Sequence, residues 1–457
     1  MKYPTVFIRY RSSLVFIALL CIPRQQSFAA GKCPCDILAD GATPCVAAHS
    51  TTRALYASYN GPLYQVRRTS DNKLLDIPLL SEGGVANASV QDSFLAGKAG
   101  TISKIYDQSP NGNHLKKAGA GGFLHNGGLE ANATAAKINL NGHPVYGVYT
   151  TSSWDNEVGS VGYRNDTTKS VITGNNAEGV YMVCSGKHYN SLCCFDYGNA
   201  QTNRVAKGPA TMESIYFGNS TQWGHGSGAG PWVMNDCEFG IQAGVDANLA
   251  YGVYNGNTTI SADYVTGIVK SDTSNLWAIR AGDAVKDTLK TMYRGRQRPG
   301  YYPKLLEGSI ILGVGGDNSH TGEGTFFEGV MTKGMPADST DNAVQKNIIA
   351  AGYGSQKTSA GPSADFGGKD ALPMFKPGFN PSTFAAVLEY ALTDARSVDI
   401  AVFDQQGRRI AVIVNGVVGA GRHRAVWDAR GVPSGVYVWK AAIDGRKEWA
   451  GKIVVGK

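Results

Sequence analysis

Cys193 and Cys194 stand side by side in "HYNSLCCFDYGNA". Three unusually polar stretches follow: "ESIYFGNSTQWGHGSGAGPW", "VMNDCEFG" and "GVGGDNSHTGEGTFFEG". They carry Glu213, Trp223, Asp236, Glu238, Asp317 and Glu328 in a framework of glycines and aromatics. Carboxylates beside aromatic rings suit sugars, because sugar C–H faces stack on rings while hydroxyls hydrogen-bond to acids and amides. A carboxylate pair is also the minimum equipment for breaking a glycosidic bond, one acid protonating the leaving oxygen while the other attacks or activates water. Acids in glycine-rich loops are more often turn formers, so spacing alone singles out none of them.

The adjacent thiols pose a geometric question. Consecutive Cα atoms lie about 3.8 Å apart, closer than the roughly 4.4–6.8 Å usual across a disulfide. A bond between Cys193 and Cys194 would close a tight ring, and a redox role has little support without a C-x-x-C motif. Whether such a bond can form depends on the compartment. Lys2, Arg9 and Arg11 precede the apolar run "LVFIALLCI", and the small residues of "SFAA" follow. This layout predicts a secretory signal over 1–29, cleaved after Ala29. The run is too short for a permanent bilayer span. A lipid anchor on Cys21 is the alternative, with the large Leu20 before it speaking against it. An exported chain reaches an oxidising space. Without Cys21 it keeps Cys33, Cys35, Cys45, Cys184, Cys193, Cys194 and Cys237, an odd number that leaves at least one thiol outside any internal pair. No Cys/His cluster has zinc spacing, so neither a metal nor a cofactor is expected.

The elements that must position these residues read as strands. Glycine numbers 58 and charged residues are only 17%. Short runs such as "GVYMVC", "ESIYFGN", "LWAIRAG" and "GSIILGVGG" alternate with Gly, Asn and Ser clusters, which predicts an all-β chain. The helix pattern is best in "DNAVQKNIIAAGY", near 341–353. A large sandwich or barrel is expected over 30–354, the unit that carries the candidate catalytic acids, followed by a Gly/Ser/Pro-rich linker over 355–377 and a small Ig-like sandwich over 378–457. The net charge of +7 is spread without long basic runs, so no nucleic-acid partner is expected. The chain is expected to be a monomer.

Longer blocks carry a resemblance. "CDILADGATPCVAAHSTTRALY", "YDQSPNGNHL", "HYNSLCCFDYGNA", "MESIYFGNSTQWG", "GPWVM" and "ILGVGGDNS…GTFFEGVM" resemble, in order, the catalytic domain of family 54 glycoside hydrolases. These are α-L-arabinofuranosidases acting on side chains of arabinan and arabinoxylan. The resemblance implies a β-sandwich, with Glu238 as nucleophile and Asp317 as general acid/base. It further implies a bonded Cys193–Cys194 pair packed against the arabinose ring, a Cys35–Cys45 disulfide, and Trp223, Asp236 and Gly316 lining the same subsite. Phe239 stands where the family carries a sugar-contacting Asn, and Cys237 where it carries Met. The family's second disulfide and its C-terminal arabinose-binding module are missing. Glu213 and Glu328 are expected to be structural or bracing acids, and His225 a loop residue. The rival from another class is a non-catalytic glycan-binding sandwich, which would need no matched acids. The lead-in "FKPGFNPST" and the core "WDARGVPSGVYVWK" resemble the C-terminal sorting domains of type IX secretion, implying contact with export machinery and a secreted or surface-attached protein.

Overall fold

The computed structural model describes residues 31–152, 160–286, 288–355, 376–380, 385–392, 396–418, 421–444 and 447–455. The signal predicted over 1–29 lies outside these residues, as does most of the stretch expected as a linker. The chain divides into two compact units, Met1–Ser359 and Ala360–Lys457.

In the first unit, described strands form an eight-stranded and an eleven-stranded antiparallel sheet. Glu178–Tyr189 and Gly324–Lys333 pair at the centre of the smaller sheet, with Tyr264–Ser271 and Leu276–Asp283 beyond. The larger sheet sets Ile241–Gln242, Trp232–Asp236, Glu213–Gly218, Asp196–Ala200 and Ser309–Leu312 side by side in that order. Because strand side chains alternate between faces, Tyr197, Ile215, Phe217 and Val233 enter one core cluster with Val183, Val265, Ile279 and Phe326 of the smaller sheet. Tyr216, Trp232 and Met234 point the other way and form a separate buried cluster with Cys193 and Cys194. Both faces of this part of the sheet are therefore covered, which is why these strands read as buried at every position.

Asp338–Ala351 is helical and ends on Gly352, whose φ of 70° suits a left-handed cap. It buries Val344 and Ile348, while Lys270 Nζ donates to Asp338 and Asp341 at 2.6 Å each. This is the helix expected near 341–353, begun one turn earlier. Two short helices, Pro34–Asp40 and Ala88–Leu95, were not anticipated, since seven or eight residues give too little periodicity to recognise. The first is fixed to strand Cys45–Ser50 by a Cys35–Cys45 disulfide, Cα atoms 5.7 Å apart. Cys193 and Cys194 form the second disulfide, across a cis peptide bond. Cys33, Cys184 and Cys237 are free and buried.

In the second unit, Lys376–Asn380, Ala385–Leu392 and Gly421–Asp428 form one sheet. Arg396–Phe403, Arg409–Val418, Gly435–Ile443 and Lys447–Val455 form another. Leu388 and Trp427 of the first pack with Val398, Ile400 and Trp439 of the second in a core of their own. This is a small sandwich. No described helix is long and apolar enough to cross a membrane.

Candidate active site

The outward face of the larger sheet floors a cavity of about 540 Å³, within the size range of ligand sites. Cys193, Cys194, Trp223, Asp236, Glu238, Phe239, Gly316 and Asp317 all line it, so the tertiary fold brings together every substrate-site residue expected from the sequence. The Cys193–Cys194 pair forms one wall with half-buried Trp223 packed on the same cluster. Cys194 Sγ lies 3.5 Å from Asp236 Oδ2. Cys193, Cys194 and Asp236 are metal-ligating residue types in one place. With both sulfurs bonded to each other no thiolate remains, so this donor set does not fit a metal.

Glu238 sits in the turn between Trp232–Asp236 and Ile241–Gln242. Its φ of 62° and the 57° of Phe239 put two side-chain-bearing residues in the left-handed region, a conformation that costs about 1–3 kcal/mol each and tends to cluster at functional sites. The turn is held from both sides. Glu238 N–H donates to Asp236 Oδ1 at 3.0 Å, and Tyr301 O–H donates to the Phe239 carbonyl at 2.9 Å. Gln201 Nε2 donates to Glu238 Oε2 at 2.7 Å and fixes the carboxylate itself.

Asp317 is presented by a tight turn after Ser309–Leu312. Ser319 N–H donates to Asp317 Oδ1 at 2.9 Å, and Gly315 N–H to the Ser319 carbonyl at 2.8 Å. Buried Arg164 clamps this turn, donating to the Gly316 carbonyl at 2.9 Å and to Asn318 Oδ1 at 2.6 Å. A Cβ at Gly316 would press on Gln201 Oε1 and Met212 Sδ, so a larger residue there would displace the glutamine that holds Glu238.

Several acids share this space. Burial, then the charge of Asp236, pushes the fully buried Asp196 well above the usual carboxylate range. Asp236 is raised to about 6 by burial, restrained by hydrogen bonds from the Glu238 N–H and from Asp196. Glu238 is raised to about 8, first by burial and then by the charge of Asp236, with Asp317 adding to it. The Gln201 hydrogen bond and Arg164 pull in the other direction. Burial beside Asp236 thus favours the neutral form of Asp196.

A measurable consequence follows for stability. Folded Glu238 keeps its proton to about pH 8, whereas the ordinary value is 4.5. Between those values the folded state binds more protons than the unfolded one, so its contribution to stability falls as pH rises. Glu238→Gln removes that penalty. Its melting temperature should exceed the parent's by about 2 °C or more at pH 8, and the gap should shrink toward pH 4.5. A constant difference across that window would contradict the assignment.

The other acids are elsewhere. Glu328 is buried outside the cavity, paired with Arg53 Nε at 2.5 Å and Nη2 at 2.6 Å and accepting from Tyr353 O–H at 2.7 Å. Glu213 accepts from Ser271 O–H at 2.7 Å and lies 3.2 Å from Lys304 Nζ. Both are structural acids by these contacts. His225 faces its neighbour, with Nδ1 2.8 Å from the Gly226 carbonyl. Sequence reasoning missed Gln201, Arg164 and Asp196; only Asp196 stood inside a motif already singled out.

Residues 34–354 match the family profile described as alpha-L-arabinofuranosidase B, catalytic. A probable alpha-L-arabinofuranosidase B from Aspergillus fumigatus is 48% identical over 376 residues, covering 79% of this chain and 72% of that protein. An arabinofuranosidase/B-xylosidase from Trichoderma koningii is 48% identical over 367 residues, covering 79% and 70%. A solved GH54 a-l-arabinofuranosidase with a glutamate-to-glutamine mutation, soaked with 4-nitrophenyl a-l-arabinofuranoside, is similar with a TM-score of 0.67 and 45% identity. That likeness covers 79% of this chain and 73% of the other. An arabinofuranosidase complexed with arabinofuranosyl-alpha-1,2-xylobiose gives a TM-score of 0.67 at 44% identity, covering 82% and 75%.

Proposed function

The chain belongs to the family of alpha-L-arabinofuranosidase B catalytic domains, and from that membership we propose the reaction and the roles of its residues. The protein is an α-L-arabinofuranosidase that removes arabinofuranosyl residues from arabinan and arabinoxylan side chains with retention of configuration. One observation carries the reading: Glu238 and Asp317, from separate turns, face a single cavity walled by the bonded Cys193–Cys194 pair.

Glu238 attacks the anomeric carbon in its ionised form, which the Gln201 hydrogen bond and Arg164 favour against burial and Asp236, while protonated Asp317 donates to the departing oxygen. Asp317 then takes a proton from water, which releases arabinose from Glu238. Gln201 aims the nucleophile, and Arg164 fixes the turn that carries the acid. The disulfide offers an apolar, polarisable face to the sugar ring, with Trp223, Asp236 and the Gly316 backbone completing the subsite. The family's contact made by Asn is not reproduced by Phe239. Hydrolysis in this scheme draws only on these side chains and water.

The second unit serves export. Its sequence resembles a type IX sorting domain, and every residue assigned to the site above belongs to the first unit. This points to a secreted or surface-attached enzyme acting on plant cell-wall polysaccharide. One comparison tests both proposals: the full chain against a chain ending at Ser355. Both should release arabinose from 4-nitrophenyl α-L-arabinofuranoside and arabinoxylan with the same kcat. In a host with type IX machinery, only the full chain should leave the periplasm. No arabinose from either form would overturn the enzymatic reading, and equal export of both would overturn the sorting role.

A further inference from the structure

Two large aromatic side chains stand in water at the mouth of the cavity. Phe239 is 61% exposed and Phe123 is 57% exposed, and both line it. Buried positions are available to phenylalanine throughout this sandwich, so two exposed rings on one cavity rim point to a binding surface.

Their backbones relate them to the two reacting acids. Phe123 N–H donates to the Asp317 carbonyl at 3.1 Å, and the preceding Gly122 N–H to the Arg204 carbonyl at 2.8 Å. This ties Phe123 directly to the turn that carries the proton donor. Phe239 follows the nucleophile in the left-handed turn, its carbonyl held by Tyr301. The arabinose subsite already has its apolar wall in Cys193, Cys194 and Trp223. Asp317 delivers its proton to the leaving oxygen, so the sugar that departs must lie on the Asp317 side, where Phe123 is.

We propose that Phe123 and Phe239 form an aromatic platform for the leaving-group sugar, and that this platform is matched to a xylopyranosyl residue of a xylan main chain. The inference rests on the arabinofuranosidase reading. A β-xylopyranosyl ring has equatorial hydroxyls and no exocyclic carbon, so its C–H faces are flat and can lie on a phenyl ring. The puckered arabinofuranosyl ring of an arabinan main chain, with its exocyclic carbon, offers a poorer face. Phe239 thereby replaces a polar contact to the arabinose with an apolar contact to what carries it.

The test uses the full chain and its Phe123→Ala, Phe239→Ala and Phe239→Trp variants. For each, kcat/KM is measured on arabinosyl-xylotriose, on arabinotriose and on methyl α-L-arabinofuranoside, which has no leaving sugar. The ratio of the xylotriose substrate to the methyl glycoside should fall about tenfold in either alanine variant, equivalent to about 1.4 kcal/mol. Phe239→Trp should restore it, and the arabinotriose ratio should move by less than about threefold. An unchanged ratio, or equal losses on all three substrates, overturns the platform. Equal falls on xylotriose and arabinotriose overturn its match to xylan. Parental cleavage of the methyl glycoside shows that such a failure belongs to the platform alone, whereas a parent inactive on every arabinofuranoside overturns the enzymatic reading and this inference with it.

Discussion

Glu238→Ala stops arabinose release from every substrate, whatever the leaving group. Without a carboxylate beneath the anomeric carbon no glycosyl-enzyme forms, and a loss on the order of 10⁴-fold or more is expected. The truncation opens a space next to the Gln201 amide, where a small anion can sit. Added azide should therefore restore slow turnover on the nitrophenyl glycoside and yield the arabinosyl azide of inverted configuration, readable by NMR. The variant should fold, because the side chain removed carries a raised pKa and a hydrogen bond to Gln201 but lies in no apolar core. A variant that kept measurable activity on the nitrophenyl glycoside without azide would move the nucleophile to another acid. Asp236 would be the first to examine, since it lines the same cavity and is held by the same turn.

Asp317→Ala fails selectively. The nucleophile remains, so the damage depends on how much the departing oxygen needs a proton. General-acid assistance is worth about 10²–10⁴-fold. On arabinan or arabinoxylan, whose leaving alcohols are poor, nearly the whole of that loss should appear. With 4-nitrophenyl α-L-arabinofuranoside the nitrophenolate leaves unprotonated, and the first step should be largely spared. Water then attacks without its general base, so the glycosyl-enzyme on Glu238 should accumulate and a burst of nitrophenolate should precede slow turnover. Equal losses on both substrate types in the glycosylation step would overturn the role of Asp317. The structure leaves no alternative donor among Glu213 and Glu328, which are committed to Ser271 and Lys304 and to Arg53, Tyr181 and Tyr353.

Much of this site is legible in the chain because its parts are local. The turn carrying Glu238 and the turn carrying Asp317 are each short enough that their residues travel together as "NDCEFG" and "GGDNS". Adjacent thiols need no fold to bring them together. The strand pattern is legible for the same reason, since alternation and glycine punctuation are properties of neighbours. The two short helices were not, and neither were Gln201 and Arg164. Gln201 reaches Glu238 from 37 positions away, and Arg164 reaches the Gly316 carbonyl from 152. Nothing in their own surroundings marks the glutamine as the partner of a distant carboxylate or the arginine as the clamp of a distant turn.

The sequence by itself determined the all-β class, the adjacent cysteines, the two acids in recognisable turns, and the departure at Phe239. What only the tertiary structure decided is which acids share a cavity and what each one feels there. Glu213, Glu238 and Glu328 are the same residue type, two in strands and one in the turn between strands. One faces Lys304, one faces Arg53, and one lies among Asp236, Asp317 and a hydrogen-bonding amide with its proton held to about pH 8. The physical reason is that a carboxyl's reactivity is set by burial and by charges within a few ångströms. Those neighbours come from strands far apart in sequence, brought together by sheet pairing and by the second face that this sheet buries.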